Sequence, residues 1–433
     1  MARAVPQLFR GIFGVVRGGF FLGKKPLGST DFDSQQLENR VRRASTLRRP
    51  VAFRGVGRSI LLTLPIALWS LLMFTPSFQK AGRDEHVGAA AVIVFMTALF
   101  FLMMRTGETY RWRRIFFVAL GFLFPFGFIA SLIAERGTMS IPISRMVSGD
   151  TPFCFMVTPS IILPAAFAKT IIFPGSILPT ASNPRSIAVM IGIWFAMTLV
   201  LGKAWCSYAC FFGGIEEGFA AFAKRPKLHR FVVRYGHILR LIPWAILVFV
   251  VLVSAAIFEP VYCMWLCPFK AVTEFPAVRN VETAIQMGIF VALFVGLVVV
   301  LPYLTKKRTQ CGFFCPFGAF QSIFNKINLF EIRFNREKCV GCTLCQTSCP
   351  TVALSADSIR EGKTLLNCMK CGACVDACKK DAAVWHLKGT PVAVKPERAR
   401  LLFLYGAWAM ATMFGGSILA NSVATMMHWL PGK

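Results

Sequence analysis

Histidine is scarce in this chain and acids are outnumbered. Five histidines are spread over 433 residues, and 20 Asp and Glu face 48 Lys and Arg. None of His86, His229, His237, His386 and His428 lies in mid-span facing another, which disfavours a bis-His haem. C-x-x-C-H, G-x-x-x-x-G-K-S/T and a convincing dinucleotide fingerprint are missing too, so the chain is not expected to use a nucleotide itself. Charges are nearly absent from the long apolar runs, which argues against an ion-coupled transporter with a buried relay. The N-terminal region also lacks the short apolar core and small-residue cleavage site of a removable signal.

What is abundant points to a membrane. The chain is 55% hydrophobic with mean hydropathy +0.59, unusual for a soluble domain, yet its formal charge is +28. About 20 apolar residues cross a hydrocarbon core of roughly 30 Å. Seven segments approach that length: Ser59–Phe78, Val87–Met104, Ile115–Ala134, Ser186–Gly202, Leu241–Phe258, Thr283–Thr305 and Leu401–Met427. An eighth uncharged run, Thr151–Ala168, is broken by Pro152, Pro159 and Pro164 and reads as irregular or re-entrant.

Basic residues alternate with these spans. Twelve Lys and Arg precede the first, and Arg105, Arg111, Arg113 and Arg114 follow the second. The loop after the fourth carries Lys224, Arg225, Lys227, Arg230 and Arg234, and that after the sixth opens Lys306, Lys307, Arg308. The intervening loops are nearly balanced. Positive-inside bias then predicts a multi-pass protein of the bacterial inner membrane, with the N-terminus cytoplasmic and the C-terminus external. Topology and lipid headgroups account for the basic excess, and no nucleic-acid role is expected. Residues 7–23, apolar with Arg10 and Arg17, read as a helix lying on the inner face.

Fifteen cysteines carry the chemistry. CVGCTLCQTSCP (Cys339–Pro350) and CMKCGACVDACKK (Cys368–Lys380) both read C-x2-C-x2-C-x3-C. Three closely spaced thiolates wrap one cubane, and the displaced fourth reaches the other. Cluster one would take Cys339, Cys342, Cys345 and Cys378; cluster two would take Cys368, Cys371, Cys374 and Cys349. Paired zinc sites have no need of three cysteines at two-residue gaps. The segment resembles a bacterial two-cluster ferredoxin, except that Lys379 stands where a proline usually follows. Lys379 and Lys380 place positive charge near the clusters, which favours their reduced state.

Six more cysteines form three C-x3-C pairs: Cys206 with Cys210, Cys263 with Cys267, and Cys311 with Cys315. Each follows an apolar span, with Phe212, Phe269 or Phe317 six residues after the first cysteine. Here, over about residues 186–385, the chain resembles the membrane polyferredoxins of the NapH type and the C-terminal half of NosR. Phe211 departs from the proline of that pattern. Cys206, Cys210, Cys311 and Cys315 all follow spans that end inside, and their four thiolates are candidates for a third iron–sulfur cluster at the cytoplasmic face; redox-active thiols without metal are the alternative. Cys263 and Cys267 fall at the external end of the fifth span, on the same side as Cys154. They form a candidate external metal site one ligand short, completed by another residue type or a symmetric partner, or else a disulfide or free pair.

The expected architecture is an all-α polytopic membrane protein of about seven helices with an inserted cytoplasmic α+β two-cluster ferredoxin domain. Its parts would be a basic arm (1–58), a six-helix domain (59–305) with a Pro-rich external loop (135–185), the ferredoxin domain (306–400) and a last helix (401–433). The expected role is an electron-transfer subunit with no substrate-transforming site of its own. It would link a quinone pool or an external redox partner to the cytoplasmic clusters, within a homo-oligomer or a complex of redox subunits. A quinol-dehydrogenase-like complex is the implied setting. The competing reading is a maturation or metal-reducing accessory factor of the CcoG type. Glu216, Glu217 and Glu259 could take a proton from a quinol, but solvated loop charge is the expectation.

Overall fold

The computed structural model describes residues 55–80, 82–127, 187–223, 227–257, 261–273, 278, 280–391 and 396–429. The arm at 1–54, Cys154 with its Pro-rich loop, and Glu259 lie outside them. Five helices are long and apolar enough to cross a membrane: Val56–Thr75, Arg83–Thr106, Gly236–Ile257, Val281–Thr305 and Pro396–His428. Two further helices match expected spans only in part. One, Thr109–Gly127, opens on Arg111, Arg113 and Arg114, and the other, Ile187–Leu201, is short.

We label the helices that matter here α1 (Val56–Lys80), α2 (Arg83–Thr106), α3 (Thr109–Gly127), α4 (Ile187–Leu201), α5 (Phe211–Phe222), α6 (Ile242–Ile257), α7 (Val281–Thr305), α8 (Thr309–Phe313), α9 (Pro316–Ile323), α10 (Leu344–Ser348), α11 (Ala373–Ala377) and α12 (Pro396–His428). Local chemistry sets their ends. Asp84 and Glu85 occupy the first turn of α2 and Arg105 its last, complementing the helix dipole, and Gly107 closes it at φ 75°. Asn280 and Thr283 form a reciprocal capping box that starts α7. Single π-helical stretches interrupt α7 at Phe294–Val300 and α12 at Ala411–Gly416.

Helices α1, α2, α3 and α12 pack around Trp408, whose ring lies 5.4 Å from Phe116 and 5.9 Å from Phe100. Leu61, Leu64, Leu68 and Leu72 of α1 point outward at helical spacing, Leu61 being 66% exposed. Such a stripe suits lipid and not water. Helix α5 packs along α3, and α9 along α6. Thr309 donates to the carbonyl of Leu297, well back along α7. The chain therefore doubles back after α7 and returns toward the apolar body.

Two antiparallel strands, β1 (Phe330–Phe334) and β2 (Ala383–Leu387), pair Phe330 with Leu387 and Phe334 with Ala383. They close the segment holding both four-cysteine motifs. Trp385 of β2 stacks on Phe403 of α12 at 4.3 Å, and Asp376 accepts the amide of Tyr110 at 2.7 Å. The cysteine-rich module is thus seated directly on the helices.

Candidate iron–sulfur centres

The two motifs repeat not only in sequence but in backbone conformation. Gly341 and Lys370, Thr343 and Gly372, and Val352 and Asp381 occupy equivalent places, and all six have positive φ. For the four that are not glycine this costs about 1–3 kcal/mol each, which persists only where the surroundings demand it. The demand is a chain that curls tightly enough to turn successive sulfurs inward. Ala353 and Ala382, again equivalent, each donate an amide to the sulfur four residues back, Cys349 or Cys378, at 3.2 Å.

Sulfurs from both motifs come together. Cys349, Cys368, Cys371 and Cys374 line one pocket, with Ile332, Leu354 and Met369 among its apolar walls. Burial, then the neighbouring Cys378, Cys342 and Cys339, pushes the Cys345 thiol up to about 12. Burial and the neighbours Cys368, Cys371, Cys349 and Cys345 likewise push Cys374 up, so the two quartets adjoin. Among the described residues no three His, Cys, Asp or Glu converge on a point fit for one metal ion.

A third quartet forms where α5 and the α8–α9 turn meet. Burial raises the Cys315 thiol most, then Cys206 and Cys210, while Lys203 opposes them; Cys311 is raised first by burial, then by Glu216, Cys210 and Cys315, with Arg308 opposing. Pro316 starts α9, and the Cys315 sulfur caps it by accepting the Gly318 amide at 3.4 Å. This quartet touches the module. Cys206 packs with Met369, Cys371 and Ala373, and the Ser207 hydroxyl donates to the Met369 carbonyl at 2.9 Å.

Arg308 sits at the junction, wholly buried. Its guanidinium donates to the Cys206 carbonyl (2.7 Å), the Cys311 sulfur (3.3 Å) and the Met369 sulfur (2.9 Å), while its amide donates to the Pro350 carbonyl (2.8 Å). Glu216 and Glu217 lie 3.9 and 3.8 Å from it. Glu217 also pairs closely with the buried Arg113. Burial raises Glu217, but Arg113 and Arg308 outweigh it and hold the carboxyl below its ordinary value. For Glu216 burial prevails over Arg308 and lifts it to about 7. These acids are therefore not solvated loop charge, as the sequence suggested; both are at most 1% exposed.

Buried cations surround all of this. Lys307 donates to the carbonyls of Thr347 and Cys349, and Lys370 lies beside Asn325. Burial pulls Lys370 down to about 7 against the pull of the Cys368 sulfur. Sequence reading missed Lys203, Lys307, Arg308 and Lys370 as site residues, having assigned Lys307 and Arg308 to topology. The second pair, Cys263 with Cys267, is drawn into the same neighbourhood and not to a separate face as the sequence suggested. Tyr262, preceding Cys263, accepts a hydrogen bond from Gln310, preceding Cys311, at 2.9 Å. Cys267 packs against Phe269, Phe212 and the core containing Cys315.

Such sulfur quartets on an apolar helical body define an iron–sulfur electron-transfer protein with transmembrane helices. Residues 331–379 match the model of a 4Fe-4S dicluster domain, and residues 182–229, 241–281 and 287–337 each match that of a 4Fe-4S binding domain. The chain is 23% identical over 235 residues to YccM of Escherichia coli K12, whose name assigns it provisionally to electron transport; the match covers 52% of this chain and 61% of that protein. It is 28% identical over 183 residues to the regulatory protein NosR of Pseudomonas aeruginosa (41% of this chain, 24% of that one). With the ferredoxin-type protein NapH of Escherichia coli K12 it shares 26% identity over 201 residues (45% and 64%). No solved structure matches. Over these segments the chain is similar to membrane polyferredoxins.

Proposed function

We propose that the protein passes single electrons along three [4Fe-4S] clusters at the cytoplasmic face of a bacterial inner membrane, exchanging them with a quinone pool or an external redox partner. Cluster one takes Cys339, Cys342, Cys345 and Cys378, and cluster two Cys368, Cys371, Cys374 and Cys349. The interfacial cluster takes Cys206, Cys210, Cys311 and Cys315. When bound, the clusters supply one-electron carriers; the chain supplies thiolates, amide donors to sulfur and buried cations. Seven spans, with the N-terminus inside, set the polypeptide in the bilayer, and Cys263 with Cys267, tied to the interfacial quartet through Tyr262 and Gln310, relays electrons between that quartet and the external partner. The protein works with redox subunits or carriers, because the described residues offer no substrate-transforming site.

The observation that carries this reading is the contiguity of the quartets. Cys345 and Cys374 share one packed core, and Cys371 packs with Cys206, so the quartets lie beside one another. Iron and acid-labile sulfide per chain, measured after anaerobic purification of the full chain, test it. Three cubanes give about twelve iron atoms and two give about eight, by cluster stoichiometry. A value near eight would remove the interfacial cluster; a colourless, iron-free protein would remove the whole reading.

A further inference from the structure

The first and third C-x3-C segments superpose in sequence at one constant offset, and their side chains cross over. Lys203 stands three residues before Cys206, as Arg308 does before Cys311. A side-chain carbon on Gly213, three after Cys210, would collide with the Arg308 guanidinium. One on Gly318, three after Cys315, would meet the Lys203 Nζ at 3.4 Å. Each cation thus lies over the opposite segment, and at Gly213 only glycine leaves it room.

The exchange continues further along the helices. The Cys206 thiol donates to Gln321, six residues past Cys315, at 2.9 Å, while the amide of Cys311 donates to Glu216, six past Cys210, at 3.2 Å. Lys203 donates to Ser322 at 3.1 Å; Arg308 faces Glu217, the equivalent position, at 3.8 Å. The two segments therefore build a pseudo-twofold seat around four sulfurs. The second pair breaks the pattern, with Pro260 and Lys270 in place of the cation and the glycine.

The symmetry is broken in charge. Arg308 has two carboxylates, Glu216 and Glu217, against it. Lys203, 2% exposed, has Gln321 and Ser322 at the corresponding places and donates to the neutral Ser322 hydroxyl, with no carboxylate pairing among the described residues. A buried ammonium without a carboxylate costs several kcal/mol unless another anion offsets it. Cys206, Cys315 and Cys311 are the thiols whose charge it feels most. We propose that Lys203 is the dedicated counter-charge of the cofactor held by these four thiolates, a polynuclear anion whose added electron it stabilises, and that this sets the interfacial centre at a higher potential than its burial would otherwise allow. Lys203 is a positioning residue: it acts through the field it sets at the four thiolates and not on the metal.

The inference rests on an interfacial cluster being present, and the experiment separates the two. The full chain and its Lys203→Met, Lys203→Gln and Lys203→Arg variants are purified anaerobically, and iron content and EPR-monitored redox titrations are recorded. The expected result is unchanged ferredoxin potentials in all four and an interfacial signal shifted to more negative potential in Met and Gln, with Arg restoring it. Selective loss of about four irons in Met and Gln, regained in Arg, supports the same assignment, because it shows the cation is needed to hold the anion. Twelve irons with an unmoved interfacial signal in Met and Gln would overturn it while leaving the cluster standing. Eight irons in the unaltered chain would overturn the interfacial cluster itself and this inference with it.

Discussion

The phenol of Tyr262 and the amide of Gln310 are hydrogen-bonded at 2.9 Å, tying the second C-x3-C loop to the third. Both side chains are buried, and Gln310 Oε1 already lacks a partner. Tyr262→Phe keeps the ring and removes the acceptor, leaving Gln310 Nε2 stranded as well. A buried donor so orphaned costs about 1–3 kcal/mol. Thermal unfolding in detergent should show the loss, and an unchanged midpoint would mean the two loops are not coupled.

Glu217 is held by Arg113 and Arg308 inside the apolar body. Glu217→Gln leaves two guanidiniums short of an anion, and breaking a buried pair in this way costs about 3–5 kcal/mol. The expected outcome is a sharp drop in folded yield and thermal midpoint. Glu108→Gln is the control, since Glu108 pairs with a largely exposed Arg111 and such pairs contribute about 0–1 kcal/mol. Equal losses in the two variants would contradict the buried network.

Gly213→Ala sets the new methyl against the Arg308 guanidinium. Arg308 cannot swing away freely, because its donors are committed to Cys206, Cys311 and Met369. Overpacking of this kind costs about 1–3 kcal/mol. The measurement is thermal stability beside iron content. Gly192→Ala, where the added carbon meets nothing, should be silent in both.

Much of this was legible in the sequence, for physical reasons that differ by element. The eight cysteines from Cys339 to Cys378 speak through spacing alone, because a cubane dictates how thiolates are strung. The apolar runs behind α1, α2, α6, α7 and α12 speak through length. Glu216 and Glu217 did not, since two acids after an apolar span look like loop charge until Arg308 and Arg113 are seen against them. Lys203 and Arg308 were hidden by the same ambiguity, because a cation just after a span serves topology equally well. Only aligning GKAWCSYACFFGGIEE with KRTQCGFFCPFGAFQS, position by position, exposes their equivalence. Tyr262 and Gln310 carried no sequence signal; their meeting depends on how the chain doubles back after α7.

That doubling back bears on the last prediction. If Cys263 and Cys267 relay electrons to the external partner, replacing both by Ser should leave iron and the EPR signals of all three clusters unchanged, because neither residue belongs to a quartet. Electron transfer from cytoplasmic-side reductant to an acceptor confined to the opposite side of a proteoliposome should fall by at least tenfold. Transfer to an acceptor on the same side as the clusters should persist. If both transfers persist at the original rate, the pair has no part in conduction, and the Tyr262–Gln310 contact serves packing alone. If both fail together with loss of about four irons, the pair supports the interfacial cluster and is no separate relay.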